Sequence, residues 1–179
     1  MRVSPFIFIV FACVSLIRFR APILPLRLGS YAEGPCLIVE DATYTDVISE
    51  ALDMFRVAIL MKGGFAIETP ADKVLIYIHL WIHKCIQMAA AEVKSKSELA
   101  EYFRLCSLTD LALPGDSDFP LNRLFSQRDK REGSLCQKYL KQLRYETAIR
   151  LIDKLYENEE NLSKWWMQYA NYQFLNISI

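Results

Sequence analysis

The longest apolar stretch runs from Thr69 to Glu92, TPADKVLIYIHLWIHKCIQMAAAE, and between Val74 and Met88 its one formal charge is Lys84. Its opening carries helix-start signals. Thr69 can accept an orphan backbone N–H, Pro70 lacks the N–H that a first turn leaves unused, and Asp72 can reach back toward the positive helix end. Within the stretch Ile76, Ile78, Leu80 and Ile82 alternate with Tyr77, His79, Trp81 and His83, a strand-like period in β-favouring residues. The capped start and the helix-favouring tail QMAAAEVK decide for one helix over 70–92, on the order of 35 Å long. Apolar on nearly every side, it must be surrounded by other elements.

The flanking chain supplies candidates for that cover. Ile48, Ala51, Leu52, Phe55 and Ile59 recur at helical spacing after a cap at Thr45 or Asp46, and Lys62-Gly63-Gly64 ends that helix. Lys94 to Ser97 is a polar break, and Ser97 to Leu108 predicts a shorter helix with Leu99, Tyr102, Phe103 and Cys106 on one side. LPGDSDFPLN (113–122) is a loop turned by Pro114-Gly115 and Phe119-Pro120, with one aromatic to bury, and the charged run Ser126 to Gly133 is expected to be exposed. Leu135 to Tyr156 predicts a second long helix with a stripe of Leu140, Leu143, Thr147, Leu151 and Leu155, and Glu146–Arg150 is a favourable pair at i,i+4. Glu157 to Asn161 is a polar link, and Ser163 is placed to cap a short last helix containing Trp165, Trp166 and Tyr169. Residues 21–44 carry Pro22, Pro25, Gly29, Gly34 and Pro35 and predict an extended arm rather than a helix. The expected fold is all-α, about five helices around the central helix 70–92, with 21–179 a single helical domain that includes the extended N-terminal arm.

Residues 1–20 stand apart. Arg2 precedes an almost wholly apolar run from Phe6 to Ile17, followed by Arg18 and Arg20. The run resembles the hydrophobic part of a signal peptide, yet it is short for a membrane span and no clean small-x-small cleavage site follows. It is read as an apolar N-terminal extension, with a secreted or membrane-anchored helical protein as the alternative.

Charge and cysteine content narrow the function classes. The 179 residues are 53% apolar, with 21 basic and 21 acidic side chains. That balance lacks the basic footprint of a nucleic-acid binder, so no nucleic acid is expected as a partner, and it gives no polybasic surface for a membrane. A low net charge on an apolar chain suits a protein that hides surface in an assembly. The five cysteines, Cys13, Cys36, Cys85, Cys106 and Cys136, form no CxxC pair, and their odd number suits reduced thiols.

Candidate chemistry is sparse. His79 and His83 share a helix face as HLWIH, without the glutamate that a zinc protease helix places between them. Cys85, Cys106 and Cys136 lie in or beside apolar helical stripes, where inert buried thiols are the usual case. No glycine-rich phosphate loop, nucleophile elbow or calcium loop occurs. No catalytic, cofactor-binding or metal-binding residue is therefore assigned, against a rival reading as a metal or thiol enzyme using His79, His83 or Cys85. Trp165 and Trp166 are adjacent, so about 100° apart on a helix, and both cannot face one core. Trp165, Trp166 and Phe119 are the candidate partner anchors, since aromatic side chains are enriched at binding hot spots.

Several separated blocks carry a resemblance: ThrAspValIle (45–48), AlaAspLysValLeuIleTyrIle (71–78), LeuProGlyAspSerAspPheProLeuAsn (113–122), TyrLeuLysGlnLeuArgTyrGluThr (139–147) and SerLysTrpTrp (163–166). In this order, from about Ala21 onward, and with LeuProLeuArg (24–27) and GlyPro (34–35) in the arm, the chain resembles subunit 3 of the actin-related protein 2/3 complex. It departs from the family in its apolar start and in AlaAsnTyr (170–172), where the family carries a basic pair. The resemblance implies a non-catalytic, all-helical scaffold subunit without a cofactor. It implies a place in a seven-subunit assembly that nucleates branched actin filaments. Actin-related protein three is the chief expected neighbour, and the mother filament is approached at the branch. The expected location is the cytoplasm and its actin cytoskeleton.

Overall fold

The computed structural model describes residues 17–18, 21–27, 29–41, 43–61, 67–91, 95–109, 111–125, 133–156, 161–172 and 174. The apolar run up to Leu16, the Lys62-Gly63-Gly64 stop, Ser126 to Glu132 and the link 157–160 lie outside them. Among the described residues are five α-helices: α1 (Val47–Leu60), α2 (Pro70–Ala91), α3 (Lys96–Leu108), α4 (Gly133–Leu155) and α5 (Lys164–Met167), the last continuing into a 3-10 turn, Gln168–Asn171. Strands β1 (Ile17–Arg18) and β2 (Ala21–Pro22) make a two-residue antiparallel pairing, which links residues on both sides of the boundary drawn at Ala21.

The expected central helix is α2. Every position from Val74 to His83 is buried, including both members of the alternation that looked like a strand. On a helix such a run points in all directions, so α2 needs cover on every side. It receives that cover from α1, α4, α5, the 3-10 turn and β2, while α3 packs chiefly on α4. By length and composition α2 could cross a membrane, but 72% of its most apolar window is buried inside this fold, so here it is a core helix. Its start keeps the expected Asp72 reach-back and lacks the expected Thr69 side-chain cap. Asp72 Oδ2 accepts from Glu68 N at 2.8 Å and Thr69 N at 2.6 Å, while the Thr69 hydroxyl is buried without a hydrogen bond.

α3 begins one residue earlier than expected, because Ser95 and Glu98 close a reciprocal capping box. Ser163 makes no side-chain cap on α5. Instead its backbone N–H donates to Leu155 O at 2.7 Å, tying the start of α5 to the end of α4. The LPGDSDFPLN loop is held by its own polar groups. Asp116 Oδ2 accepts from Leu113 N, and Asn122 bridges Gly115 N and Asp116 O. Gly115 at φ 97° occupies the left-handed region that favours glycine.

The arm is extended as expected, and α4 fixes it with the polar side chains of Tyr139, Gln142 and Glu146. Tyr139 donates to Pro22 O at 2.9 Å and accepts from Leu24 N. Gln142 Oε1 accepts from Cys36 N at 2.9 Å, and Glu146 Oε1 accepts from Ser30 N and Tyr31 N. A side chain on Gly34 would sit 2.0 Å from the Gln142 amide, so the arm can lie this close because residue 34 has none. Glu146 therefore serves the arm, and its expected pairing with Arg150 is replaced. Arg150 crosses to Asp46, with Nη1 at 2.8 and 2.7 Å from the two carboxylate oxygens.

Asp46 is fully buried and joins three elements. It caps α1 through Ser49 N at 2.9 Å, holds the arm through Arg27 N at 2.8 Å and pairs with Arg150 of α4. Burial pushes its carboxyl upward, but the Arg27 amide, the Arg150 charge and the Ser49 amide outweigh it and hold the group below its ordinary value of 3.8.

Two outcomes follow. Ile78, 1% exposed, has no route to water, so Ile78→Asp should cost several kcal/mol; a soluble variant with wild-type thermal midpoint would refute the burial. A depressed folded pKa gives stability that is present above the unfolded value and lost as pH falls through the folded one. Asp46→Asn should therefore cost about 3 kcal/mol at pH 7, since it strands the Arg150 charge, and the gap to wild type should narrow below about pH 4. Urea unfolding of both proteins across pH 3–7 measures this, and a gap that does not change with pH would contradict the assigned role.

Candidate partner interface

Three aromatic anchors were expected from the sequence, and the structure places them differently. Trp166 is buried, its ring 5.8 Å from that of Phe55 and nearly parallel to it. Tyr169 meets the same Phe55 edge-on, so α5 and its 3-10 extension dock on α1 through one ring. Phe119 is 2% exposed, stacked on Tyr77 and edge-on to Phe125, which makes it the buried aromatic of its loop. Trp165 is 66% exposed. The 100° offset between neighbouring helical residues sends Trp166 inward and Trp165 outward.

Trp165 is joined to a wider surface. The Arg56 guanidinium of α1 lies 5.4 Å from its ring centroid, a cation–π distance. On α1, Val47, Ile48, Ala51, Leu52, Phe55, Ala58 and Ile59 face the core. Val57 and Leu60 lie on the opposite face, Met54 flanks the inner stripe and Met61 is the C-cap, and all four are exposed. α1 thus carries apolar side chains outside its core stripe, and among the described residues nothing buries them. Along the sequence Glu50, Asp53 and Arg56 fall between the core positions and mask these further apolar ones. The available signal was their number, since a helix buried along one stripe does not need Met54, Val57, Leu60 and Met61 as well.

The histidines take packing roles. His79 Nε2 lies 3.1 Å from Ala51 O, and its ring sits between Phe55 and Phe174. Burial drives its pKa down to about 4, against a smaller upward pull from the Ala51 carbonyl. Burial also lowers His83, partly offset by the backbone of Tyr169 and Tyr172. Both rings therefore hold the C-terminal segment against α2 as neutral groups near pH 7. Cys85 and Cys136 are fully buried, and desolvation raises the Cys85 thiol well above its ordinary range, which keeps it inert. Among the described residues no three histidine, cysteine or acidic side chains gather as a metal site.

Comparison with known proteins agrees with the resemblance drawn from the sequence blocks. The family described as P21-Arc, ARP2/3 complex ARPC3 (21 kDa) subunit, matches residues 15–179. Actin-related protein 2/3 complex subunit 3 of Dictyostelium discoideum is 34% identical over 160 residues, 88% of each chain. The protein of the same name from Arabidopsis thaliana is 32% identical over 159 residues, again 88% of each. The one from Saccharomyces cerevisiae is 34% identical over 139 residues, 75% of this chain and 77% of its own. With the five-helix fold, these matches show that the chain belongs to the family of ARP2/3 complex subunit 3, a non-catalytic subunit of the actin-branching complex.

Proposed function

We propose that this chain acts by association, as a scaffold subunit seated chiefly on actin-related protein three, close to the mother filament where a branch forms, in the cytoplasmic actin cytoskeleton. The observation that carries the reading is the set of α1 apolar side chains, Met54, Val57, Leu60 and Met61 at its C-cap, that stay exposed among the described residues, with Arg56 and Trp165 nearby, on a chain whose family is a complex subunit. Such side chains cost solubility on a protein that works alone and become an asset when a partner covers them. An exposed tryptophan beside a guanidinium and an apolar stripe has the composition of a binding hot spot. No step of this function needs a nucleotide or a catalytic group from this chain; its contribution is shape, apolar area and a fixed position for Trp165.

Trp165 and Trp166 give a paired test. Trp165→Ala removes a side chain with little contact inside the chain, so stability should stay within about 0.5 kcal/mol of wild type. Its affinity for the complex lacking subunit 3 should fall by roughly 2–4 kcal/mol, about 30- to 900-fold. Trp166→Ala should instead cost about 3–5 kcal/mol of fold stability by opening a cavity against Phe55. Thermal unfolding and pull-down of the depleted complex read both quantities. Wild-type affinity in a folded Trp165→Ala protein would remove Trp165 from the interface.

A further inference from the structure

The exposed apolar positions of α1 stand beside cations that no carboxylate answers. Arg56 is exposed, its guanidinium is held 5.4 Å from the Trp165 ring centroid, and among the described residues it has no acidic partner. Asp53, three positions earlier, is spent on Lys154 of α4 at 3.2 Å. Glu50, the other acid of α1, is half-buried and lies near Asp72 at the start of α2, where burial and then the Asp72 charge push its carboxyl upward. Lys164 opens α5 directly before Trp165, is exposed, and has no ion pair among the described residues. From Lys164 to Tyr172 the chain carries no acidic residue.

The helical offset orders this surface. At about 100° per residue, Leu60 lies about 40° and Val57 about 100° around α1 from Arg56, on the side away from the core. Phe55 lies the other way and stacks on Trp166, so α5 borders α1 on the Phe55 side of Arg56. Trp165, Arg56, Leu60 and Val57 therefore follow one another across the surface, all exposed, and the unanswered charge along this strip is positive.

We propose that the strip receives an acidic, amphipathic segment of the partner subunit. An apolar side chain of that segment lies on Trp165, Leu60 and Val57, and a carboxylate beside it meets the Arg56 guanidinium, with Lys164 adding the same sign of charge at the rim. This rests on the reading that α1 and Trp165 face the complex, and adds the charge that the complex presents there. A guanidinium already held against an indole loses less freedom when a carboxylate takes its donors. A basic partner surface would set like charges together, and a neutral one would desolvate two cations without a partner. A second copy of this chain would present the same two cations.

Binding of the full chain to the complex lacking subunit 3 tests this at about 50 and about 500 mM salt, between which the Debye length falls from about 14 to about 4 Å. Wild-type affinity should fall with salt. Arg56→Glu with Lys164→Glu should weaken binding about 100-fold at the lower salt and converge toward wild type at the higher. Arg56→Lys keeps the charge and should keep the wild-type salt dependence, whereas Arg56→Gln should lose part of it. Lys138→Glu is the control for net charge: it is exposed and lies about 24 Å along α4 from Lys154, so its affinity should stay within about twofold of wild type. All these positions are exposed, and thermal midpoints should stay within about 2 °C of wild type. Wild-type or tighter binding by the double variant at low salt would overturn the acidic partner; if Trp165→Ala still weakens binding, association through this face stands without it. A loss from Lys138→Glu as large as that from Arg56→Glu would also overturn it, by assigning the effect to net charge. So would self-association of the free chain that Arg56→Glu alters, since a second copy would then be the occupant.

Discussion

The structure depends most on one buried carboxylate. Asp46 has no exposure, and it binds the first turn of α1, the arm at Arg27 and Arg150 of α4 together. A buried pair of this kind is weak as a source of net stability, because taking both charges out of water costs most of what their attraction returns. Its value lies in geometry. Only one placement of arm, α1 and α4 satisfies the carboxylate with two amides and a guanidinium, and every other placement strands a charge. Glu146, Gln142 and Tyr139 extend the same logic along α4, each taking backbone groups of the arm that no sheet would otherwise satisfy. An extended segment without regular structure is thereby held as firmly as a strand.

That framework explains how a chain with one all-round apolar helix presents a fixed surface. α2 drives collapse by needing cover, but apolar contact is non-directional and does not by itself choose a single arrangement. The polar ties on α4 and at Asp46 supply the direction. With α1 oriented by its cap, its inner stripe meets α2, and Met54, Val57, Leu60 and the C-cap Met61 are left exposed among the described residues. Phe55 on the inner stripe then seats Trp166 and Tyr169, and that seat turns Trp165 out beside Arg56. The candidate interface is thus a consequence of the packing, with little freedom of its own.

What could be read from the sequence follows from the range of each interaction. Helix positions were legible because capping signals and period are local. Pro70 with Asp72 outweighed the strand-like alternation of Ile76 to His83, and the long stripe of α4 was visible from Leu140 to Leu155. The partners of Glu146 and Arg150 were not legible. Local spacing put them together, whereas contacts more than a hundred residues away in sequence draw them apart. The role of Gln142 was not legible either, because nothing nearby in the chain shows that an amide of the arm will need it. The tryptophan pair was half legible: the helical offset requires one to leave the core, but the position of Phe55 decides which. The exposed apolar positions of α1 were not legible because the charged residues between them dominate the local pattern.

This chain contributes to branching by association and adds no chemistry. Branch density on pre-formed actin filaments measures this most directly, using complex depleted of its own subunit 3 and supplemented with the purified chain, with ATP binding followed in parallel. The claim predicts that added wild-type chain restores branching in proportion to its incorporation, while nucleotide binding by the remaining subunits stays constant. Incorporation of the folded chain without any recovery of branches, or a recovery accompanied by changed nucleotide binding, would contradict it.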